Sequence, residues 1–118
     1  MKIVRLEEAI SEAKKLAEEK LATGENADEF VEIGEADKFK LYVTAGKTIK
    51  EESPISFHEN PRDVLMLLLE GEIEFTSERG EKTTAKTGEC FVLPKHLQHH
   101  CVFSKMTIAI EGVYEKGL

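Results

Sequence analysis

The sequence predicts an all-β domain preceded by one α-helix. Apolar residues recur every three or four positions over residues 6–22, which is the period of a helix, and they alternate from about residue 29 onward, which is the period of a strand. Turn residues then recur about every 8 to 12 positions, a spacing typical of β-sandwiches and barrels. We therefore expect an N-terminal helix within residues 1–28 and a β-barrel over residues 29–118.

The predicted helix runs from Leu6 to Ala22. Its apolar stripe is rich in alanine, and Gly24 follows the last periodic residue as a C-terminal stop. Small side chains allow close approach to a sheet, so we expect the helix to cover an apolar surface of its own barrel or of a partner subunit.

Nine or ten short strands are predicted after the helix. Ala45-Gly46 is interpreted as a turn between two of them, and Asn60 to Asp63 as an irregular segment. The predicted strands are Glu29–Ile33, Lys38–Thr44, Lys47–Lys50, Ile55–His58, Val64–Leu69, Glu72–Ser77, Lys82–Lys86, Cys90–Leu93, His99–Phe103 and Met106–Tyr114.

The segment Val64–Leu69 is apolar at every position and indicates a strand buried on both faces. Alternation places Val64, Met66 and Leu68 inside the barrel. The row on the other face, which consists of Leu65, Leu67 and Leu69, then needs cover from the helix or from a second subunit. We predict a homodimer with a two-fold interface on this row.

Composition narrows the class of protein. The 118 residues suit one domain, and the net charge of −7, with acids and bases interleaved, argues against a nucleic-acid partner. We expect a cytoplasmic protein without a membrane span or signal peptide, because no run of about 18 apolar residues is present. Abundant Glu and Lys with few amides is typical of thermophile proteins. Cys90 and Cys101 are expected to be buried free thiols, with a disulfide as the alternative.

From Lys38 to Tyr114 the sequence resembles the cupin superfamily, through two motifs. The second motif, G-x5-P-x-G-x2-H-x3-N, is matched by Gly88, Pro94 and His99, with His96 at the second glycine and Phe103 at the asparagine. In the first motif, G-x5-H-x-H-x3,4-E-x6-G, the closing glycine is Gly71 and the first histidine is His58. Asn60 stands at the second histidine, Val64 at the glutamate and Glu52 at the opening glycine.

The resemblance implies a cupin-type double-stranded β-barrel, or jelly roll. It also implies a divalent metal, held in the family by three histidines and one glutamate, of which this chain keeps His58 and His99. We therefore regard these two as candidate metal ligands for Zn, Fe, Mn or Ni. No catalytic residue is assigned.

Strand alternation places a polar cluster inside the barrel. His99, Cys101 and Phe103 share the inner face, and His58 shares its face with Asn60. We expect Asn60, Cys101 and Met66 to line the pocket, with Met66 as part of the core. Two further ligand hypotheses remain open: a Cys101 thiolate, and Asp63 turned inward by a bulge near Pro61.

Three functional hypotheses follow from these expectations, the third of which is a structural or stability role of the dimer without a ligand. The first is a metal-dependent oxygenase or isomerase acting on a small organic molecule, an interpretation that derives from the resemblance alone. The second is a metal-free cupin that binds a small molecule or acts as a sensor, with His58 and His99 as a polar pair. His96 and His100 are interpreted as turn and outer-face residues.

Overall fold

A computed structural model describes residues 1–114, in which the chain forms one helix and eight strands. In chain order these elements are α1 Leu6–Ala22, β1 Ala27–Ala36, β2 Phe39–Lys47, β3 Val64–Glu70, β4 Glu72–Ser77, β5 Lys82–Lys86, β6 Cys90–Leu93, β7 His99–Val102 and β8 Thr107–Tyr114. The predicted all-β class with an N-terminal helix is therefore confirmed. The last four residues of the predicted barrel lie outside the described residues. No helix in residues 1–114 has the length and apolarity that a membrane crossing needs.

The helix begins and ends at the residues that the apolar period predicts. Gly24 follows it with a φ of 84°, and its N–H donates to the carbonyl of Leu21 at 2.9 Å. This is the left-handed C-terminal stop that a glycine adopts without strain. The helix packs through three alanines on strands β1 and β2, because side chains this small let its axis approach the sheet. The buried cluster between them consists of Ala9, Ala13, Ala17, Ala27, Val43, Ala45 and Ile108.

The strands form two antiparallel sheets that face each other as a sandwich. The larger sheet has the order β1-β2-β8-β3-β6, and the smaller has the order β5-β4-β7. Between them lies a second core, where the rings of Phe75 and Phe91 meet edge to face with centroids 5.2 Å apart. The structure thus shows a two-sheet sandwich, and complete closure into a barrel stays a prediction.

Strand register determines which side chains face the space between the sheets. Strand β7 pairs with β4 so that Cys101 lies opposite Phe75 and His99 lies opposite Ser77. Directly opposed residues of an antiparallel pair share a face, so His99 and Cys101 point inward with the core. His100 lies on the other face of β7, as the alternation predicts.

Strand β3 is apolar on both faces, as predicted. Val64, Met66 and Leu68 are 3%, 9% and 2% exposed and lie in the core. Leu65, Leu67 and Leu69 are 41%, 39% and 36% exposed on the outer face. Because α1 packs on β1 and β2, it leaves this leucine row uncovered.

The segment between residues 27 and 63 differs from the prediction. Strand β1 already begins at Ala27, so the expected boundary between residues 28 and 29 falls inside a strand. Ala45-Gly46 does not turn, because β2 continues to Lys47; a Cβ on Gly46 would lie 3.0 Å from the ring of Phe103, so this glycine serves close packing. Residues 48–63 contribute one isolated bridge in place of two predicted strands.

Candidate functional site

The site hypothesis requires that His58 and His99 meet, and the structure brings them together. The N–H of His58 donates to the carbonyl of His99 at 2.8 Å, and the N–H of His99 donates to the carbonyl of His58 at 2.9 Å. This reciprocal pair is an isolated antiparallel bridge at the start of β7. Residues paired in this way present their side chains to the same face, so both imidazoles lie on the inner side of β7.

The ring of His99 is buried but keeps one nitrogen open. The residue is 8% exposed, its ring lies edge-on to Phe75, and its Nδ1 lies 2.7 Å from the carbonyl oxygen of Leu97. A carbonyl oxygen only accepts, so Nδ1 carries the proton and Nε2 of the neutral ring is an acceptor. Within residues 1–114 no fully buried side-chain nitrogen lacks a partner, and no protein group bonds to this Nε2. Nε2 therefore keeps some accessible surface.

His99 lines a cleft of about 640 Å³ along β7, the edge strand of the smaller sheet. We call it the polar cleft. It is lined by Asn26, Ala27, Asp28, Thr48, Lys50, Glu51, Glu52, Ile55, His58, Asn60, Glu74, Thr76, Lys82, His99, His100, Cys101, Val102 and Phe103. Four residues that the sequence selects, which are His58, Asn60, His99 and Cys101, thus lie in one cleft.

The rim of the polar cleft is held by side-chain hydrogen bonds to the backbone. Oδ1 of Asn26 accepts from the N–H groups of Ile49 and Lys50 at 2.7 and 2.9 Å. At the other end, Oγ1 of Thr48 accepts from the N–H of Phe103 at 3.0 Å. These contacts attach the irregular segment after β2 to the neighbouring strands, so the mouth of the cleft has fixed ends.

A second cleft, of about 460 Å³, opens on the other side of His99 between β5 and β6. We call it the apolar cleft. Its lining includes Phe75, Ala85, Phe91, Leu93, Leu97 and His99. His99 is the inward-facing residue that the two clefts share.

The other candidate residues lie outside the polar cleft or at its edge. Nδ1 of His96 lies 3.4 Å from Oε1 of Glu59 at an exposed turn. Asp63 does not turn inward, because its Oδ1 accepts from the N–H of Lys95 at 2.8 Å. Met66 faces the interior but belongs to the apolar core and not to the cleft lining.

Sequence reasoning missed two carboxylates that point between the sheets. Asp28 lies opposite Gly46 on the inner face of the larger sheet, and Glu111 lies opposite Tyr42 and Met66 on the same face. Glu111 could have been predicted from the sequence, because strand alternation places it on the same face of β8 as Thr107 and Ala109. Asp28 gave no signal, because the predicted strand started one residue after it.

Both carboxylates are held in surroundings that disfavour their charge. Desolvation, with a smaller contribution from Glu29, raises the pKa of Asp28 to about 6, although water still reaches the side chain through the cleft. Desolvation, followed by the charge of Asp28, raises the pKa of Glu111 to about 7. The pKa values of both acids are thus raised toward neutral pH, with Glu111 partly buried between the sheets and Asp28 exposed at the polar cleft.

The two cysteines are free thiols in different surroundings. Cys101 is partly buried, and desolvation, then the charges of Asp28 and Glu111, raises its pKa to about 12. The neutral thiol is therefore the favoured form in the metal-free protein. Cys90 is exposed, so the expectation that both thiols are buried is wrong for this one. Cys90 pairs with Leu67 on the outer face of the larger sheet, while Cys101 points inward, and this separation leaves no geometry for the disulfide alternative.

The cupin domain model matches residues 43–107, more than half of the chain. The chain belongs to the cupin family. Solved structures agree on the fold: a cupin superfamily protein from Desulfitobacterium hafniense superposes with a TM-score of 0.61 at 17% identity, covering 78% of this chain and 81% of that one. The EutQ protein of Clostridium difficile gives 0.65 at 12% identity, covering 84% and 79%. KdgF from a Halomonas species gives 0.60 at 17% identity, covering 76% and 82%. A search of the curated proteins finds no significant match.

The departures from the cupin motifs have visible structural consequences. His96 stands where cupins use glycine, and it keeps the backbone conformation of a glycine, with a φ of 64°. Val64 and Phe103 stand at the glutamate and asparagine positions and contribute to the core between the sheets. These substitutions preserve the fold and remove oxygen donors from the site.

The remaining donors do not fit a complete metal centre. In residues 1–114 no three His, Cys, Asp or Glu side chains lie where they could hold a metal ion together. Zinc sites in proteins take three or four protein ligands, whereas this cupin offers two imidazoles, one of which is exposed. We therefore derive no reaction step through a metal.

Proposed function

We propose that this cupin binds a small organic molecule in the polar cleft, with Nε2 of His99 as a hydrogen-bond acceptor. The observation that supports it is the state of His99, whose buried ring is oriented by Leu97 and whose second nitrogen bonds to no group within residues 1–114. A ligand donor would satisfy a nitrogen that is otherwise surrounded by protein and only partly hydrated, which favours the bound state.

The shape and composition of the polar cleft support the same proposal. Its volume of about 640 Å³ lies within the range of small-molecule sites, which is roughly 300–1,000 Å³. Such sites combine an apolar lining with a few polar groups that orient the ligand. Here Phe103 and Ala27 give apolar surface, and Asn60 and His99 give polar contacts.

The test is an NMR titration of protein labelled at its histidine rings. The probes are a panel of small alcohols, sugars, carboxylic acids and amines at millimolar concentration. We expect at least one compound to move the His99 ring resonances, and His99→Phe to abolish its binding. His96→Asn is the matched control, because it removes a nearby imidazole outside the cleft and tolerates the positive φ.

Two outcomes would overturn the proposal. One is a panel in which no compound moves the His99 resonances. The other is a set of bound compounds whose affinity His99→Phe leaves unchanged. If His99→Phe does not fold, His99→Leu replaces it, since leucine also lacks a hydrogen-bond acceptor. A compound that moves the resonances of Phe91 and Leu93 instead would place the ligand in the apolar cleft and contradict the proposed site.

A metal-dependent oxygenase or isomerase is the second candidate. It is favoured by the tautomer of His99, since metal-binding imidazoles usually donate their other N–H to a carbonyl or carboxylate, and by His58 on the same face. The measurement is metal per chain on untagged protein after loading with iron, manganese, nickel, copper or zinc. Stoichiometric metal that His58→Ala removes would support this candidate, and no retained metal would refute it.

A further inference from the structure

The polar cleft contains two carboxylates that no ion pair within residues 1–114 engages, those of Asp28 and Glu51, and of these Asp28 lies on the inner face of the larger sheet. Of its four acidic residues, Glu52 pairs with His100 at 3.3 Å and Glu74 pairs with Lys82 at 3.5 Å. In the part of the chain that the structure describes, no ion pair or hydrogen bond engages the carboxylate of Asp28. Asp28 thus remains available to a ligand.

Asp28 faces the inner side of β7 across the space between the sheets. It lies opposite Gly46, and the ring of Phe103 packs on that glycine. Its charge also reaches Cys101, because it contributes to the raised pKa of that thiol. Cys101 is two residues from His99 on the same face of β7, a separation of roughly 6.6 Å along a strand. One small molecule can therefore contact both walls.

The two open groups have the same chemistry. With the ring proton of His99 on Nδ1, its Nε2 is a hydrogen-bond acceptor, as is the carboxylate of Asp28, so a matching ligand presents two donors. The cleft as a whole carries four carboxylates against two lysines, Lys50 and Lys82. This balance repels anions and favours a cation, most strongly next to the partly desolvated Asp28.

We propose that the ligand of the polar cleft is a small aliphatic amine with a second hydrogen-bond donor, either a diamine or an amino alcohol. Its ammonium group contacts Asp28, and its second donor contacts Nε2 of His99. This inference rests on the proposed function of the polar cleft and specifies the chemical class of its ligand.

The experiment uses four probes with the same four-carbon chain: diaminobutane, aminobutanol, butanediol and succinate. Calorimetry on the full chain at pH 8 is expected to show the two amines binding at least ten-fold more tightly than the diol, with succinate the weakest. Asp28→Asn is expected to weaken both amines at least ten-fold and to leave the diol within about two-fold, because charge-assisted hydrogen bonds are about twice as strong as neutral ones.

Glu29→Gln is the matched control. It removes the same charge from the next position of β1, where the side chain lies opposite Ala45 on the outer face, so amine affinity should change by less than about two-fold. Equal effects of the two substitutions would refute a direct contact with Asp28.

The outcomes separate this inference from the proposed function. If butanediol or succinate binds as tightly as diaminobutane, or if only other compounds of the NMR panel bind at His99, the amine class is wrong and the proposed function stands. If no probe and no panel compound binds, both are wrong. If the amines bind and His99→Phe weakens the diamine as well as Asp28→Asn does, both are supported.

Discussion

Replacing Glu111 with glutamine is expected to stabilise the protein at alkaline pH and to change little at acid pH. The pKa of this carboxyl is raised from 4.5 to about 7, first by desolvation and then by the charge of Asp28. Between these two values the native protein keeps a proton that the unfolded chain has lost. Native stability therefore falls as the pH rises through this window and is constant above it.

The size of the effect follows from the shift in pKa. One pKa unit corresponds to about 1.4 kcal/mol, so the full shift would cost about 3 kcal/mol at pH 8. The side chain is partly accessible to water and its charge is coupled to that of Asp28, which reduces the value for Glu111 alone. We expect Glu111→Gln to raise the free energy of unfolding by about 2 kcal/mol at pH 8 and by less than about 1 kcal/mol at pH 5.

Urea denaturation at pH 5, 6, 7 and 8 measures this difference. Glu35→Gln, an exposed acid on β1, serves as the control and should leave the pH dependence unchanged. Below pH 6 the free energy of unfolding of Glu111→Gln should still depend on pH, because the pKa of Asp28 is also raised. Asp28→Asn should remove this remaining dependence. Wild type and Glu111→Gln with the same pH dependence between pH 5 and 8 would show that Glu111 is ionised like an exposed acid and would refute the argument.

Two further predictions concern the outer face and the closing glycine of the first motif. Because α1 leaves the leucine row exposed, we propose that a second copy of the chain covers it. Light scattering should show that the wild type is a dimer and that Leu67→Glu is a monomer, whereas Leu97→Glu, which changes a leucine that is 44% exposed elsewhere on the surface, should remain a dimer. A monomeric wild type would contradict the proposal. Gly71 has a φ of 100°, and a Cβ there would meet the side chain of Thr107 and lie 2.7 Å from its Cα. Gly71→Ala should therefore lower the free energy of unfolding by about 3 kcal/mol or more in urea denaturation. Gly80 has a similar φ of 83° but open space around it, so Gly80→Ala should lower the free energy of unfolding by only about 1–2 kcal/mol. Equal losses of stability in the two variants would show that the clash at Gly71 is absent.

Local patterns predicted the elements well. The helix and strands β4, β5 and β6 have the predicted bounds, because a helical stripe or an alternating strand between glycine turns is determined by near neighbours in sequence. The inward side of β7 also followed from alternation once His99 was assigned to the interior. The two motifs identified the family even though several of their ligand positions are changed.

The errors involve contacts between residues distant in sequence. Gly46 was interpreted as a turn residue, yet it lies within β2 and makes room for Phe103, which follows it by more than fifty residues. Asp28 lies in the region that the sequence places before the barrel, and only its pairing with Gly46 puts it on the inner face of the larger sheet. Neither contact leaves a periodic signal, so both require the fold.

The same residues explain how this cupin differs from the metal-binding pattern of its family. Apolar side chains stand at two motif positions that carry polar groups in the family, Val64 and Phe103, and both now contribute to the core. The carboxylates of the interior lie instead on β1 and β8, where desolvation raises their pKa values. A cation bound at Asp28 favours the ionised carboxyl and would recover part of the free energy that its desolvation costs. Binding and stability are then linked through one group: diaminobutane should raise the unfolding temperature more at pH 8 than at pH 5, and Asp28→Asn should abolish that difference.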